Sequence, residues 1–136
     1  MGQNIGIAVG VIILDGNRIL LCKRIDPGRE YDGTWALIGG KLEHGETFEQ
    51  CAIRETKEET DIDIDEIEVV CLLNSTNYDF HFVAIGLLAR KWHGTAKIME
   101  PDQHCGLEWF DMDNLPGNLF GPTADVLKKY KEKRFY

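Results

Sequence analysis

The strongest constraint on the fold is a short apolar strand that leads through two glycines and a polar loop into a capped helix. Residues 35–38 are apolar, and the glycine pair and a polar loop follow as far as residue 45. Thr47 and Gln50 are three positions apart, the spacing of a capping box, in which each side chain accepts from the other residue's backbone N–H. Apolar residues then recur at helical spacing, so one helix face packs inward. The sequence therefore predicts a strand–loop–helix unit.

The remaining segments indicate a mixed α/β chain. Strands are predicted over residues 5–14, 18–24, 67–73, 80–89 and 105–110. The first two are expected to form a β-hairpin about the turn at residues 15–17, and residues 26–33 are expected to form a loop. A last helix should begin at Gly121-Pro122, since proline lacks an N–H that would find no partner there. No repeat or linker interrupts the 136 residues, so one domain over residues 1–136 is predicted.

The balance of charge limits the partners that the chain can have. Lys and Arg number 15 and Asp and Glu number 23, which gives a formal net charge of −8. Nucleic-acid backbones and anionic membranes both require a basic face, so neither is expected as a partner. A small phosphorylated ligand is still compatible, because clustered carboxylates can hold divalent cations that in turn hold phosphates.

The cysteines and the N-terminal segment bear on the cellular compartment. The four cysteines (Cys22, Cys51, Cys71 and Cys105) are widely spaced without a C-x-x-C pair, so reduced and mostly buried thiols are expected. The N-terminal residues lack the basic region and cleavage site of a signal peptide. The longest apolar stretch, residues 5–14, is too short to span a bilayer. Together these features predict a cytoplasmic location.

Three carboxylates on the first predicted helix form the candidate catalytic cluster. Glu55, Glu58 and Glu59 are related as i, i+3 and i+4, so they share one helix face. Like charges at this spacing weaken an isolated helix, and a solvated acidic surface is the alternative explanation. Hard oxygen ligands suit Mg²⁺ or Mn²⁺, and such an ion would relieve the repulsion, bridge to phosphate and help to generate an attacking hydroxide.

The stretch from Gly40 to Ile62 resembles the signature motif of the Nudix hydrolase family. It reads Gly40-x5-Glu46-x7-Arg54-Glu55-Thr56-Lys57-Glu58-Glu59-Thr60-Asp61-Ile62, against the family pattern G-x5-E-x7-R-E-U-x-E-E-x-G-U, in which U is bulky and aliphatic. The fixed glycine and charged positions match as far as Glu59. Thr56 stands at an aliphatic position, and Asp61 replaces the glycine that ends the helix, although Asp reaches the left-handed conformation less readily. Neither departure removes a candidate ligand, so an active enzyme is expected.

The resemblance implies a fold and a set of site residues. The fold would be the Nudix-type α/β/α sandwich with a mixed central β-sheet. The implied metal ligands are the Gly39 carbonyl, Glu55, Glu58 and Glu59. Arg54 would hold the carboxylates in place, and Glu46 would pair with Arg54. Family members often take a further carboxylate from a loop, for which Glu100 is the candidate as metal ligand or base, with Glu108 as second choice and an exposed loop acid as the alternative explanation.

The expected reaction is attack by water on a phosphorus of a nucleoside diphosphate linked to a group X, with Mg²⁺ as cofactor. The segment over residues 100–121 resembles a nucleoside-triphosphate-directed subgroup, whose members often release pyrophosphate from NTPs or dNTPs. Arg24 could neutralise a substrate phosphate, since a guanidinium can grip two oxygens. The other candidate substrate-binding residues are Gly40, Lys41, Tyr78, Phe120 and Gly121.

Several alternatives stay open at this point. Tyr78 stands at about the spacing associated with dinucleoside polyphosphate hydrolases of the family. The proline expected in ADP-ribose hydrolases is absent between Glu59 and Glu100, which counts against that substrate. A non-catalytic nucleotide-binding module and an incidental acidic helix are the two non-enzymatic hypotheses. The general base is undecided among Glu55, Glu58 and Glu100, and resemblance to dimeric relatives favours a homodimer.

Overall fold

The computed structural model describes residues 4–78 and 81–136. Along these residues the elements are β1 (Gly6–Ile12), β2 (Leu14–Asp15), β3 (Arg18–Arg24), β4 (Trp35–Lys41), α1 (Phe48–Thr60), β5 (Asp63–Ser75), β6 (Phe82–His93), β7 (His104–Asp111) and α2 (Gly121–Lys131). The strands form one sheet in the order β2-β3-β4-β1-β6-β5, and β7 pairs with β3. β1 and β6 are parallel and the other pairs antiparallel, so the predicted mixed sheet is confirmed.

The predicted hairpin between residues 5–14 and 18–24 is only partly right. The turn is present, but only the two residues of β2 pair with β3. β1 instead lies between β4 and β6. A strand whose residues are apolar on both faces is best buried in the middle of a sheet, and β4 and β7 occupy the edges of β3.

Other strand boundaries also differ from the prediction, and β5, predicted over residues 67–73, runs from Asp63 to Ser75. Gly39 and Gly40 belong to β4 rather than to the loop, since they pair with Gly10 and Val9 of β1. The strand predicted over residues 80–89 corresponds to β6, which runs from Phe82 to His93, and residue 80 itself lies outside the described residues. The glycine pair is therefore held in a regular ladder, where its position is fixed by the sheet.

Neighbouring residues of the central strands belong to two separate cores, one on each face of the sheet. Leu20 and Ile38 pack in the core that receives Cys51 and Ala52 of α1. Their neighbours in sequence, Leu21 and Leu37, pack in the core that receives Val126 and Leu127 of α2. Since successive strand residues point to opposite faces, the sheet lies between the two helices, as in the predicted α/β/α sandwich.

Both ends of α1 agree with the sequence signals. Thr47 Oγ1 accepts from the Gln50 N–H at 3.0 Å, and Gln50 Oε1 accepts from the Thr47 N–H at 2.9 Å, which completes the capping box. Asp61 ends the helix in the left-handed conformation, with φ 64° and ψ 14°. The ammonium groups of Lys57 and Lys97 lie 3.1 and 3.3 Å from its carboxylate, so the aspartate is held in place by two cations.

The cysteine prediction is confirmed: all four thiols are free, three of them are buried, and Cys105 is exposed. Within residues 4–78 and 81–136, neither helix has the length and apolar character needed to cross a membrane.

Thr56, at the aliphatic position of the motif, is fully buried, and its hydroxyl has no hydrogen-bond partner in the described part of the chain. Replacing Thr56 with Val is expected to raise the free energy of unfolding by about 1 kcal/mol, because an unpaired buried hydroxyl is removed without a change of shape. Urea unfolding measures the change. Thr60→Val is the matched control. The Thr60 hydroxyl donates to the Thr56 carbonyl at 2.8 Å, so its removal should lower the free energy of unfolding. A Thr56→Val protein less stable than wild type would contradict this account.

Candidate active site

The glycine pair of β4 lies directly against the acidic face of α1. A Cβ atom on Gly40 would lie 2.5 Å from Cδ of Glu55. On Gly39 a Cβ atom would collide with the Val9 carbonyl across the ladder to β1. Both positions therefore exclude a side chain, Gly40 because of a carboxylate and Gly39 because of neighbouring backbone.

Arg54 connects the loop before α1 to the carboxylates of the helix. Its Nε and Nη2 donate to the two oxygens of Glu46 at 2.6 and 2.9 Å, a bidentate pair. Its Nη1 donates to Glu55 Oε1 at 2.9 Å and lies 3.4 Å from Glu58 Oε2. The hydrogen bonds from Arg54 and the Glu43 N–H lower the pKa of Glu46 to about 2. The structure thus brings together the pair that the resemblance implied, and the same guanidinium orients two further carboxylates.

Glu59 is the most enclosed acid of the cluster. Only 5% of the residue is exposed, and its Oε2 atom has no hydrogen-bond partner in the described part of the chain. Burial, the hydrogen bond with Glu55 and the charges of Glu55 and Glu100 raise the pKa of Glu59 to about 10. A buried carboxylate facing other acids lacks a compensating positive charge, and a divalent cation bound by these oxygens would supply it.

Glu100 belongs to the same cluster although it lies far away in sequence. The Met99 N–H donates to the Glu59 carbonyl at 3.3 Å, which holds the loop beside the end of α1. Burial and the charges of Glu55 and Glu58 raise the pKa of Glu100. The structure therefore places the candidate loop ligand among the carboxylates of the helix.

The second choice, Glu108, does not belong to the cluster. In β7 it pairs with Leu21, whose side chain packs in the core on the α2 side of the sheet. Directly opposed residues of an antiparallel ladder share a face, so Glu108 points away from α1. The prediction of Glu108 as an alternative site residue is therefore wrong, because the register of β3 with β7 turns its side chain to the other face of the sheet.

A cavity of about 690 Å³ opens on the other side of the glycine pair. Its wall contains most of the residues predicted to bind substrate, namely Arg24, Gly40, Lys41, Tyr78 and Phe120, together with Gly39. Gly121 supports the wall from behind, since a Cβ atom there would collide with the Tyr78 ring. The glycine pair is therefore a wall shared by the acidic cluster and the cavity.

Three aromatic rings form one end of this cavity. The Tyr31 ring is edge-on to Phe120, with centroids 5.2 Å apart, and edge-on to Tyr78 at 6.2 Å. Tyr78 Oη donates to Asp125 Oδ2 at 3.0 Å. Tyr31 was not among the predicted residues, because its only sequence signal is an aromatic residue inside a glycine-rich loop. Such rings offer a stacking surface of the kind that a nucleobase uses.

Arg24 lines the same cavity. Its guanidinium lies 4.3 Å from the centroid of the Phe120 ring and 3.8 Å from Asp26 Oδ2. Its Nε atom is buried and has no hydrogen-bond partner in the described residues. A cation with an unused donor in a cavity wall fits an anionic ligand.

The two glycines of the wall should respond differently to alanine. Gly40→Ala is expected to lower kcat/KM for the hydrolysis that the motif implies about 100-fold, with a loss of less than about 1 kcal/mol of stability, because the flexible Glu55 carboxylate moves away. Gly39→Ala should cost more than about 2 kcal/mol of stability, because rigid backbone must move. Kinetics and urea unfolding of both variants test this contrast. Full activity in Gly40→Ala would show that the position of Glu55 does not matter.

Comparison with known proteins agrees with this geometry. The family model for the NUDIX domain matches residues 4–130. An ADP-ribose pyrophosphatase of Methanocaldococcus jannaschii is 34% identical over 91% of this chain and 72% of its own length. The NAD-capped RNA hydrolase NudC of Vibrio atlanticus is 37% identical over 78% of this chain, which amounts to 37% of NudC. The chain thus spans little more than a third of the length of the NudC relatives that it matches.

A solved structure gives the same result. The MutT NUDIX hydrolase from Burkholderia pseudomallei is 32% identical, with a TM-score of 0.84 over 93% of this chain and 98% of its own. The sheet, the helices and the motif are those of an α/β/α Nudix domain, and the chain belongs to the Nudix family. Members of this family of pyrophosphohydrolases generally use a divalent metal ion.

Proposed function

We propose that the protein is a Mg²⁺-dependent pyrophosphohydrolase that converts nucleoside or deoxynucleoside triphosphates to a monophosphate and pyrophosphate. The observation that carries this proposal is the unpartnered, buried oxygen of Glu59, which faces Glu55 and Glu100 at the glycine wall of the cavity. The carboxylate oxygens of Glu55, Glu58 and Glu100 and the Gly39 carbonyl are hard ligands, which favour Mg²⁺ among the divalent ions.

The residues of the cluster divide into ligands and supports. Glu55, Glu58, Glu59, Glu100 and the Gly39 carbonyl would hold the ion. A bound Mg²⁺ supplies positive charge to the phosphate oxygens and makes water more acidic. Arg54, fixed by its bidentate pair with Glu46, keeps the carboxylates oriented.

Side-chain exposure favours Glu58 as the general base. The side chain of Glu58 is 49% exposed, compared with 17% for Glu55 and 4% for Glu59. A base must lie within hydrogen-bond reach of the attacking water, which favours Glu58 over the two enclosed acids. Glu100 is the other candidate.

The cavity supports a substrate with one nucleobase. It has one aromatic end, formed by Tyr31, Tyr78 and Phe120, and its volume of about 690 Å³ is in the range of sites for a single small molecule. Arg24 and Lys41 in the cavity wall would provide positive charge for a polyphosphate chain. A second candidate substrate is ADP-ribose, because the Methanocaldococcus jannaschii relative that covers 91% of the chain is an ADP-ribose pyrophosphatase.

A substrate panel distinguishes these candidates. NTPs, dNTPs, diadenosine polyphosphates, ADP-ribose and NAD-capped RNA are incubated with the protein and Mg²⁺, and the products are separated by chromatography. We expect a triphosphate to give monophosphate and pyrophosphate with the highest kcat/KM. Preferred turnover of ADP-ribose, a dinucleotide or capped RNA would be consistent with the family chemistry but would contradict the proposal that a triphosphate is the substrate. Nucleotide binding without any turnover would favour the non-catalytic module.

Four broader predictions accompany this proposal: a single domain over residues 1–136, a cytoplasmic location, a homodimer, and no nucleic acid as partner. The last rests on the net charge of −8. Capped RNA in the panel tests it directly, and light scattering of the purified protein tests the dimer.

A further inference from the structure

Glu59 also belongs to a second group of metal-binding side chains, together with Cys22 and His104. Cys22 Sγ, a carboxylate oxygen of Glu59 and a ring nitrogen of His104 all lie within 4.8 Å of one another. His104 Nε2 is 3.5 Å from Glu59 Oε1. Three different elements supply the residues: β3, α1 and β7.

A β-bulge brings the histidine into this group. Lys23 pairs with Gly106, but Arg24 pairs with His104, so the ladder skips Cys105. The skipped residue is exposed, and His104 takes the face that Cys22 and Arg24 share. Without the bulge, the alternation of β7 would turn Cys105 toward Glu59 and His104 away from it. The bulge therefore replaces a thiol with an imidazole beside Glu59.

Hydrogen bonds among protein groups satisfy this group only in part. The Cys22 thiol lies 3.6 Å from the Ala36 carbonyl, a weak hydrogen bond. The Glu59 side chain is 96% buried, since 4% is exposed, and its Oε2 atom has no hydrogen-bond partner in the described chain. A core cluster held by hydrogen bonds alone would not leave a buried carboxylate oxygen without a donor.

We propose that Cys22, Glu59 and His104 form a second metal site, which binds Zn²⁺ through sulfur, oxygen and nitrogen. Three protein ligands with water in the fourth position are a common tetrahedral arrangement for Zn²⁺. Thiolate and imidazole ligands select Zn²⁺ over Mg²⁺, so this site differs in chemistry from the carboxylate cluster. On binding, the Cys22 thiol gives up its proton to solvent and the sulfur bonds to the metal.

Glu59 would belong to both sites, and this step rests on the proposed function. A Zn²⁺ ion that engages the Glu59 carboxylate would withdraw one ligand from Mg²⁺, so the two ions would compete. Mg²⁺ in excess should then weaken the apparent affinity of the sulfur-containing site.

Titration with Co²⁺ tests the site without any hydrolysis measurement. Co²⁺ is a spectroscopic substitute for Zn²⁺, and its bond to a thiolate gives a charge-transfer band in the near ultraviolet. We expect the metal-free protein to bind one Co²⁺ per chain with this band, and Zn²⁺ to abolish the band by displacement. Because the group is enclosed, each addition is followed until the absorbance is constant.

Variants assign the band to particular ligands. Cys22→Ala and Cys22→Ser should lose it, and His104→Gln should weaken Co²⁺ binding at least about tenfold. Cys105→Ser is the matched control, since its thiol is exposed and adjacent to His104, and it should keep the band. Thermal unfolding of the metal-free variants checks the fold.

Other outcomes would overturn the proposal. These are a band that survives in both Cys22 variants, a band lost in Cys105→Ser, or Co²⁺ binding by wild type without a thiolate band. If the Cys22 variants do not fold, an unchanged Co²⁺ affinity in His104→Gln, measured from the thiolate band, is equally decisive against the site. A protein that shows the band but hydrolyses no nucleotide would retain this site and lose the proposed function.

Discussion

Replacing Glu58 with Gln is expected to lower kcat for triphosphate hydrolysis at least about 100-fold at saturating Mg²⁺, with little change in stability. Glutamine keeps the size of the side chain but neither accepts a proton from water nor carries the charge that a divalent ion requires. Glu58 is half-exposed and contacts Arg54 at 3.4 Å, so its loss leaves the core untouched. Steady-state kinetics over a range of Mg²⁺ concentrations measures the effect, and urea unfolding measures the stability.

Glu49→Gln is the matched control for this variant. Glu49 lies in the first turn of the same helix and is exposed. Its substitution should change kcat by no more than about twofold, in keeping with a surface position. If Glu58→Gln retained more than about a tenth of wild-type kcat while folding normally, Glu58 would be neither the base nor a necessary ligand.

The local part of the site could be predicted from the sequence because it depends on one helix. The spacing of Glu55, Glu58 and Glu59 sets their common face, and the capping box at Thr47 sets where the helix begins. Asp61 could also be foreseen in the left-handed conformation, since the motif requires a helix end there. Each of these features is decided within about two helical turns of chain.

The non-local part of the site could not be predicted, because it depends on strand register. Tyr31 reaches the cavity from an irregular loop, where periodicity carries no information. His104 reaches Glu59 only through a β-bulge, and a shift of one residue would have presented Cys105 instead. The prediction for Glu108 was wrong for the same reason, since its pairing with Leu21 turns its side chain to the opposite face of the sheet. The pairing of β1 with β4 and β6 was likewise hidden from local signals.

The buried carboxylate of Glu59 lowers the stability of the metal-free fold at neutral and alkaline pH. Its carboxylate is buried beside Glu55 and Glu100, and the pKa of about 10 means that the metal-free fold holds a proton there that the unfolded chain releases near pH 4.5. Between those two values the folded state binds more protons than the unfolded state. The stability of metal-free wild type must therefore fall as pH rises through this window.

Replacing Glu59 with Gln is accordingly expected to stabilise the metal-free protein, by up to about 5 kcal/mol at about pH 8, while hydrolysis is lost. Glutamine has the same shape and no proton to release, so the gain should vanish below about pH 4.5 and grow as pH rises toward about 10. Urea unfolding of both proteins with a chelator, at a series of pH values, measures this divergence. Added Mg²⁺ should then raise the Tm of wild type more than that of Glu59→Gln, because the variant offers the ion one carboxylate fewer. Parallel pH profiles, or a less stable variant at every pH, would mean that Glu59 is accommodated by the fold itself and that its burial does not indicate a missing cation.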